Sequence, residues 1–150
     1  MAMSKYEPSL LSDYLLFMSR EEGEVLTNLK LQKLLYYSQA WHLALYDTPI
    51  FDEDFQAWVH GPVLRSQYNR FREYRWQPIM AEIEKPEIPR KIKDHLDEIL
   101  AVFGVETAIA LESMTHQERP WAEARGDIPD HVQSQNIISK DSMREYYKSL

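Results

Sequence analysis

The sequence predicts a mainly α, compact single domain of about six helices, with at most a small β element near residues 54–60. Three observations favour this fold class. Apolar residues recur at helical spacing along most of the chain. There are only four glycines, which argues against a loop-rich all-β fold. A length of 150 residues is typical of one domain that buries a substantial core, and we see no repeat, low-complexity segment or linker within residues 1–150.

Apolar spacing and end signals indicate the first two helices. In the first helix, which Gly23 can close, the recurring residues are Leu10, Leu11, Tyr14, Leu15 and Met18. Thr27 or Asn28 can cap a second helix that runs to about Tyr46. One face of the second helix carries Leu31, Leu34, Leu35, Trp41 and Leu45, and the opposite face is also apolar. A helix that is apolar on two sides is expected to be central and buried.

A forced change of backbone direction follows at Gly61-Pro62. Pro62 fixes its own φ, donates no N–H and disfavours the helical region for Gly61. The weak alternation of residues 55–59 favours an extended segment before the turn, with Trp58 and His60 at the corner. Pro62 suits the first position of a helix that runs to about Tyr74.

Helical patterns return in the second half of the chain. The apolar stripe of the next helix, which Gly104 closes, consists of Ile92, Leu96, Ile99, Leu100 and Phe103. A further helix is expected over residues 106–114. Pro120 is expected to begin a short helical turn that carries Trp121, and Ser139 can cap a terminal helix.

Composition excludes several classes of function. The net charge of -7 disfavours non-specific nucleic-acid binding, which requires a basic surface, and is compatible with a basic protein partner. The absence of cysteine removes disulfides, thiolate chemistry and cysteine-based zinc sites. Residues 1–8 lack an apolar signal region and no stretch has the length of a membrane span. We therefore expect a cytoplasmic protein without membrane contact.

Three short runs carry the strongest family signal. They are Leu31-Gln32-Lys33-Leu34-Leu35-Tyr36-Tyr37 with Trp41 nearby, Trp58-Val59-His60-Gly61-Pro62-Val63, and Thr115-His116-Gln117-Glu118-Arg119-Pro120-Trp121. In this order and spacing the runs resemble the Panacea domain, the family of prophage-associated GepA-like and SocA-like antitoxins. The resemblance covers about residues 10–125.

The resemblance implies an antitoxin of a type II toxin–antitoxin pair, which neutralises a toxin encoded nearby by binding it directly. It also implies that SocA-like members deliver their toxin to an ATP-dependent protease, and it implies neither an enzyme activity nor a cofactor. The motif residues are expected chiefly to maintain the domain, with some exposed at the interface. These candidate interaction residues are Leu31, Gln32, Lys33, Leu34, Tyr36, Tyr37, Trp41, Trp58, His60, Gly61, Pro62, Val63, Thr115, His116, Glu118, Pro120 and Trp121.

The residues themselves leave an enzyme open as an alternative. His60 and His116 each lie beside a proline-defined turn and a tryptophan, and with Glu118 they could act as acid and base. The favoured interpretation is that each imidazole bonds a backbone carbonyl and locks its turn. The histidine spacing predicts no metal site, and the sequence has no glycine-rich phosphate loop and no nucleophile elbow.

A basic and aromatic run provides a third alternative, a nucleic-acid-binding regulator. Its members are Arg65, Arg70, Arg72 and Arg75, interleaved with Tyr68, Phe71, Tyr74 and Trp76. Such a run can contact phosphates and stack on bases. Given the net charge, a basic helix surface that pairs with nearby acidic loops is the favoured interpretation, and a protein partner is another.

Two further expectations concern single side chains. Lys33 lies in an otherwise apolar helix and must reach solvent or pair with a carboxylate, for which Glu118 is one candidate. Trp58 and Trp121 are expected in the core rather than at an interface, each with one polar partner for its indole N–H.

Overall fold

The computed structural model describes residues 5–150. In that range seven α-helices and one two-stranded sheet are ordered as α1 (Pro8–Glu21), α2 (Asn28–Tyr46), β1 (Gln56–Trp58), β2 (Gly61–Val63), α3 (Arg65–Phe71), α4 (Arg90–Phe103), α5 (Ala108–Gln117), α6 (Arg119–Arg125) and α7 (Lys140–Lys148). The mainly α fold class is confirmed. The expectation about residues 1–8 falls partly outside the described residues.

Helix α2 is the centre of the domain. It packs against α1, α4, α5, α7 and the hairpin, and most of its 19 residues are buried. The hydroxyl of Thr27 caps it by accepting from the backbone N–H of Lys30, and Asp47, in the left-handed region at φ 57°, ends it. Two-sided burial is therefore confirmed. The expectation for Leu45 is wrong: this side chain is 59% exposed, because it lies in the last turn of α2 at the rim of the α2–α4 contact.

The Gly61-Pro62 turn lies inside a β-hairpin. Strands β1 and β2 are antiparallel, with Trp58 opposite Gly61 and Ala57 opposite Pro62. The prediction that Pro62 begins a helix is therefore wrong, since α3 begins only at Arg65; a turn of 3₁₀-helix, Arg72–Tyr74, then continues it to the expected end. Proline is tolerated in β2 because a strand at the margin of a small sheet does not need every N–H for pairing.

The remaining helices close the core around α2. Helix α5 begins at Ala108, two residues later than expected, because the side chain of Thr107 caps it. Ser139 caps α7 as expected, by accepting from the backbone N–H of Ser142. The core combines leucines of α1 and α2 with large aromatic side chains, among them Tyr14, Tyr36, Tyr37, Trp121 and Tyr147. Within residues 5–150 no single helix is long and apolar enough to span a membrane; the bent pair α4–α5 meets that criterion only jointly.

Candidate functional site

The three sequence runs converge on the β1–β2 hairpin. The first run lies on α2, the second forms the hairpin, and the third spans the end of α5 and the start of α6; these helices all pack against the hairpin. Residues of all three runs come into close contact at Gly61. A Cβ atom at this position would lie 2.6 Å from Cε of Lys33 and 2.9 Å from Oγ1 of Thr115. Its φ of +104° independently favours glycine. The three runs thus meet in one packed region, formed by α2, the hairpin and the α5–α6 segment, which we name the junction.

Lys33 is fully buried beneath this turn. Its Nζ lies 3.2 Å from the carbonyl oxygen of Pro62, to which it donates, and its exposed fraction is 0%. Burial lowers the pKa of Lys33 to about 7, and the negative charge of Glu112 opposes this shift. Both sequence expectations for this side chain are wrong, because it neither reaches solvent nor pairs with Glu118.

Trp121 connects α6 to the hairpin through a hydrogen bond. Its indole Nε1 donates to the carbonyl oxygen of Trp58 at 2.8 Å, and the His116 ring stacks on the indole with centroids 3.9 Å apart. Burial lowers the pKa of His116 and thereby favours its neutral form at pH 7. Trp121 is in the core, as expected, whereas Trp58 is only half-buried and donates its own indole N–H to Gln56.

None of the sequence patterns identifies Arg125, which holds the same junction from the other side. This guanidinium is 2% exposed and lies 4.8 Å from the Trp121 ring centroid. It donates to the carbonyl oxygens of Ala57, Pro129 and Val132. An arginine one position before Gly126, at the end of a short helix, was the available signal, because basic side chains often satisfy the last carbonyls of a helix.

Gln32 of the first run connects α2 to the start of α3. Its side-chain oxygen accepts from the backbone N–H of Leu64 at 2.8 Å, and its amide nitrogen donates to Asn28 at 2.9 Å. Because both groups are buried, each would carry a desolvation penalty if left unpaired. Gln32 therefore fixes the path of the chain as it leaves the hairpin.

Glu118 belongs to a second, separate cluster. Its carboxylate accepts from the hydroxyls of Tyr37 at 2.6 Å and Tyr147 at 2.8 Å, and the Tyr147 hydroxyl oxygen in turn accepts from the hydroxyl of Tyr36 at 3.0 Å. Burial raises the pKa of Glu118, and the two tyrosine hydrogen bonds oppose this shift. The cluster connects α2 and α7 to Glu118, which lies between the end of α5 and the start of α6.

His60 has a third environment. It is exposed at the hairpin corner, and its Nδ1 lies 3.1 Å from the carboxylate of Glu112. The three acid–base candidates, His60, His116 and Glu118, thus have different partners, and no hydrogen bond between any two of them is present in residues 5–150. The same residues hold no group of three or more His, Asp or Glu side chains arranged to bind a metal ion.

The basic and aromatic run divides between two roles. Arg70 pairs with Asp13 of α1 at 2.7 Å and Phe71 is buried, so this part of the run is structural. Other members line a cleft of about 280 Å³ beside the hairpin, which we name the hairpin cleft. The side chains that characterise it are Trp58, His60, Tyr68, Arg72, Arg75 and Trp76, with Lys33 at its buried end.

Comparison with known proteins adds one finding. The family model described as "Antitoxin SocA-like, Panacea domain" matches residues 31–122, which is more than half of the 150-residue chain. The match begins at the first residue of the first run and ends one residue after Trp121. No curated protein and no solved structure matches the chain.

Proposed function

Because this chain belongs to the SocA-like Panacea antitoxin family, we propose that it is the antitoxin of a type II toxin–antitoxin pair. It neutralises a cognate toxin, encoded nearby, by forming a stable complex with it in the cytoplasm. The observation that carries this proposal is the family match across all three runs, residues 31–122.

The contacts of the motif residues support a binding role over an enzymatic one. A general acid or base must be free to exchange a proton with a substrate. Glu118 is instead occupied by two tyrosine hydroxyls, and His116 is covered by the Trp121 ring. These groups hold helices together, so the toxin is blocked by contact and is not modified.

The first experiment is co-expression with the adjacent open reading frame, scored by growth and by co-purification. We expect the neighbour to arrest growth alone, and we expect growth to return together with a stable complex. A neighbour that is harmless, or rescue without any complex, would contradict the proposal.

Stoichiometry separates the binding role from the enzyme alternative. An antitoxin that acts by occupancy abolishes toxin activity only near one equivalent, whereas an enzyme does so at a small fraction of one. We therefore propose titration of purified toxin with the wild-type chain and with His60→Ala, which removes the exposed imidazole. Neutralisation by sub-stoichiometric protein that is lost in His60→Ala would favour the enzyme.

The proposal includes delivery of the toxin to an ATP-dependent protease, as the resemblance to the SocA-like branch implies. The test is the half-life of the toxin in cells after synthesis is stopped, with and without the antitoxin. A shorter half-life with the antitoxin, dependent on one protease, supports the adaptor role. An unchanged or longer half-life restricts the function to inhibition by binding.

A further inference from the structure

We propose that the hairpin cleft binds a nucleotide, with the phosphate held by arginines and the base stacked on aromatic rings. This inference goes beyond toxin neutralisation and does not depend on it. It arises from four features of the cleft: the charge of its lining, its exposed rings, an under-bonded cation at its buried end, and a strained backbone at its rim.

The lining concentrates positive charge in an otherwise acidic chain. The protein has 24 acidic and 17 basic residues, yet the lining contains Lys33, His60, Arg72 and Arg75 and no Asp or Glu. Neither Arg72 nor Arg75 forms an ion pair within residues 5–150. Glu112, which lies outside the lining, contacts the imidazole of His60. The two free guanidiniums present the fork of N–H donors that phosphate oxygens accept.

Aromatic rings form the walls of the cleft. Trp58 and Tyr68 contact each other edge to face with centroids 4.8 Å apart. Trp76 is 66% exposed, and the His60 ring stands perpendicular to it at 5.4 Å. A largely exposed indole beside free arginines is the combination that stacks on nucleobases. A simple carboxylate or inorganic phosphate would leave these rings unused.

Lys33 supplies an under-bonded cation at the buried end. It is 0% exposed and its single hydrogen-bond partner in the described chain is the Pro62 carbonyl. An ammonium group has three donors, so two of them have no protein acceptor. Because Lys33 is fully buried, a ligand in the cleft does not contact its ammonium; a phosphate nearby would favour the protonated form of Lys33 through space, against the burial that lowers its pKa to about 7.

The backbone at the rim is strained where the arginine and the tryptophan meet. Arg75 has φ 54° and ψ -118°, a conformation that L-residues rarely adopt and that is energetically unfavourable. Such strain clusters at ligand-binding positions. In this conformation both Arg75 and the following Trp76 line the cleft.

The size of the cleft restricts the ligand. Ligand sites typically occupy about 300–1,000 Å³, and the hairpin cleft, at about 280 Å³, lies just below this range. It therefore suits a single nucleotide and is too small for a dinucleotide cofactor.

The test uses the full chain and AMP, GMP, CMP and UMP as separate probes, followed by tryptophan fluorescence and calorimetry at low salt. We expect saturable binding of at least one probe. Arg75→Ala and Trp76→Ala should each weaken it at least tenfold, and the corresponding nucleoside without phosphate should bind at least tenfold more weakly. Arg90→Ala is the matched control, because Arg90 is 91% exposed on α4 and lies outside the cleft lining.

Both cleft variants change exposed side chains, so unchanged circular dichroism and melting are expected and will separate lost binding from lost folding. Absence of saturable binding of all four probes at millimolar concentration would overturn the inference. So would binding that Arg75→Ala and Trp76→Ala leave intact, or binding of a single-stranded oligonucleotide with none of the mononucleotides. Toxin neutralisation is scored separately, so failure of one proposal leaves the other testable.

Discussion

Replacing Lys33 by methionine tests whether burial of this cation opposes folding. Methionine has an unbranched side chain that is one heavy atom shorter and carries no charge, so it retains most of the packing under Gly61. The wild-type side chain is fully buried and its ammonium has one protein acceptor. We expect Lys33→Met to be more stable than the wild type at pH 6, and this advantage should shrink as pH rises.

The sign and the size of this pH dependence follow from the pKa values of Lys33 in the unfolded and folded chain. Burial lowers its pKa from 10.5 to about 7 in the folded chain. Between these values the unfolded chain binds a proton that the folded chain does not, so the free energy of unfolding of the wild type rises with pH. One pKa unit corresponds to about 1.4 kcal/mol, which gives roughly 5 kcal/mol in total, about half of it between pH 6 and pH 9. Lys33→Met lacks this contribution.

The assay is urea unfolding followed by tryptophan fluorescence at pH 6, 7, 8 and 9. The difference in unfolding free energy between Lys33→Met and wild type should change by roughly 2–3 kcal/mol across this range. Titrating groups that do not interact with Lys33 are common to both proteins and cancel in the difference. His116, whose pKa the charge of Lys33 lowers, is neutral in both proteins at pH 8 and 9, so the difference measured there does not contain it. Lys85→Met is the matched control, because Lys85 is exposed, and its difference from wild type should stay near zero throughout. A difference for Lys33→Met that does not vary with pH would refute the reasoning.

Three further variants test the junction and the tyrosine cluster. Gly61→Ala should lower the unfolding free energy by at least about 1 kcal/mol more than Gly23→Ala, because both glycines have positive φ but only Gly61 has neighbours within 4 Å of the added Cβ; equal losses in urea titrations would contradict this. Trp121→Phe removes the bond to the Trp58 carbonyl and should cost about 1–2 kcal/mol, seen in thermal melts as a Tm lower by roughly 2–8 °C; an unchanged Tm would show that the bond contributes nothing. Burial raises the pKa of Glu118 from 4.5, so its contribution to stability falls as pH rises above 4.5; Glu118→Gln should make stability less dependent on pH there, and an identical pH profile would argue against it.

Local signals predicted the helices well. Apolar periodicity and capping residues depend only on neighbours a few positions away, so α1, α2 and α4 and the caps at Thr27 and Ser139 could be read from the sequence. The hairpin could not be predicted from local signals, because residues far away in the sequence hold β1 in place. The backbone N–H of Ala57 donates to the carbonyl oxygen of Asn136, and the backbone N–H of Ile138 donates to that of Phe55. Without those partners, Pro62 fits a helix start equally well.

The site residues likewise could be recognised from local sequence, whereas their contacts could not. The three runs could be recognised as a set, but their contacts could not be assigned, because each contact joins residues far apart in sequence. The bond from Lys33 to Pro62 crosses 29 positions, and that from Arg125 to Ala57 crosses 68. Glu118 was a plausible partner for any nearby cation or imidazole, and only the fold shows that tyrosine hydroxyls occupy it.

The location of the runs also bears on how a family can share a sequence signature and still bind different toxins. The buried residues of the junction lie on elements that pack against each other, so packing constrains their identity. They include Lys33, Gly61, Thr115 and Trp121. A partner meets only exposed positions, which packing leaves free to vary. If toxin specificity lies there, exchanging exposed residues between two family members should transfer specificity without loss of stability, whereas exchanging residues of the junction should alter stability first. The hairpin cleft is the exception to this separation, because Trp58 and His60 belong to the shared runs and also line a surface opening.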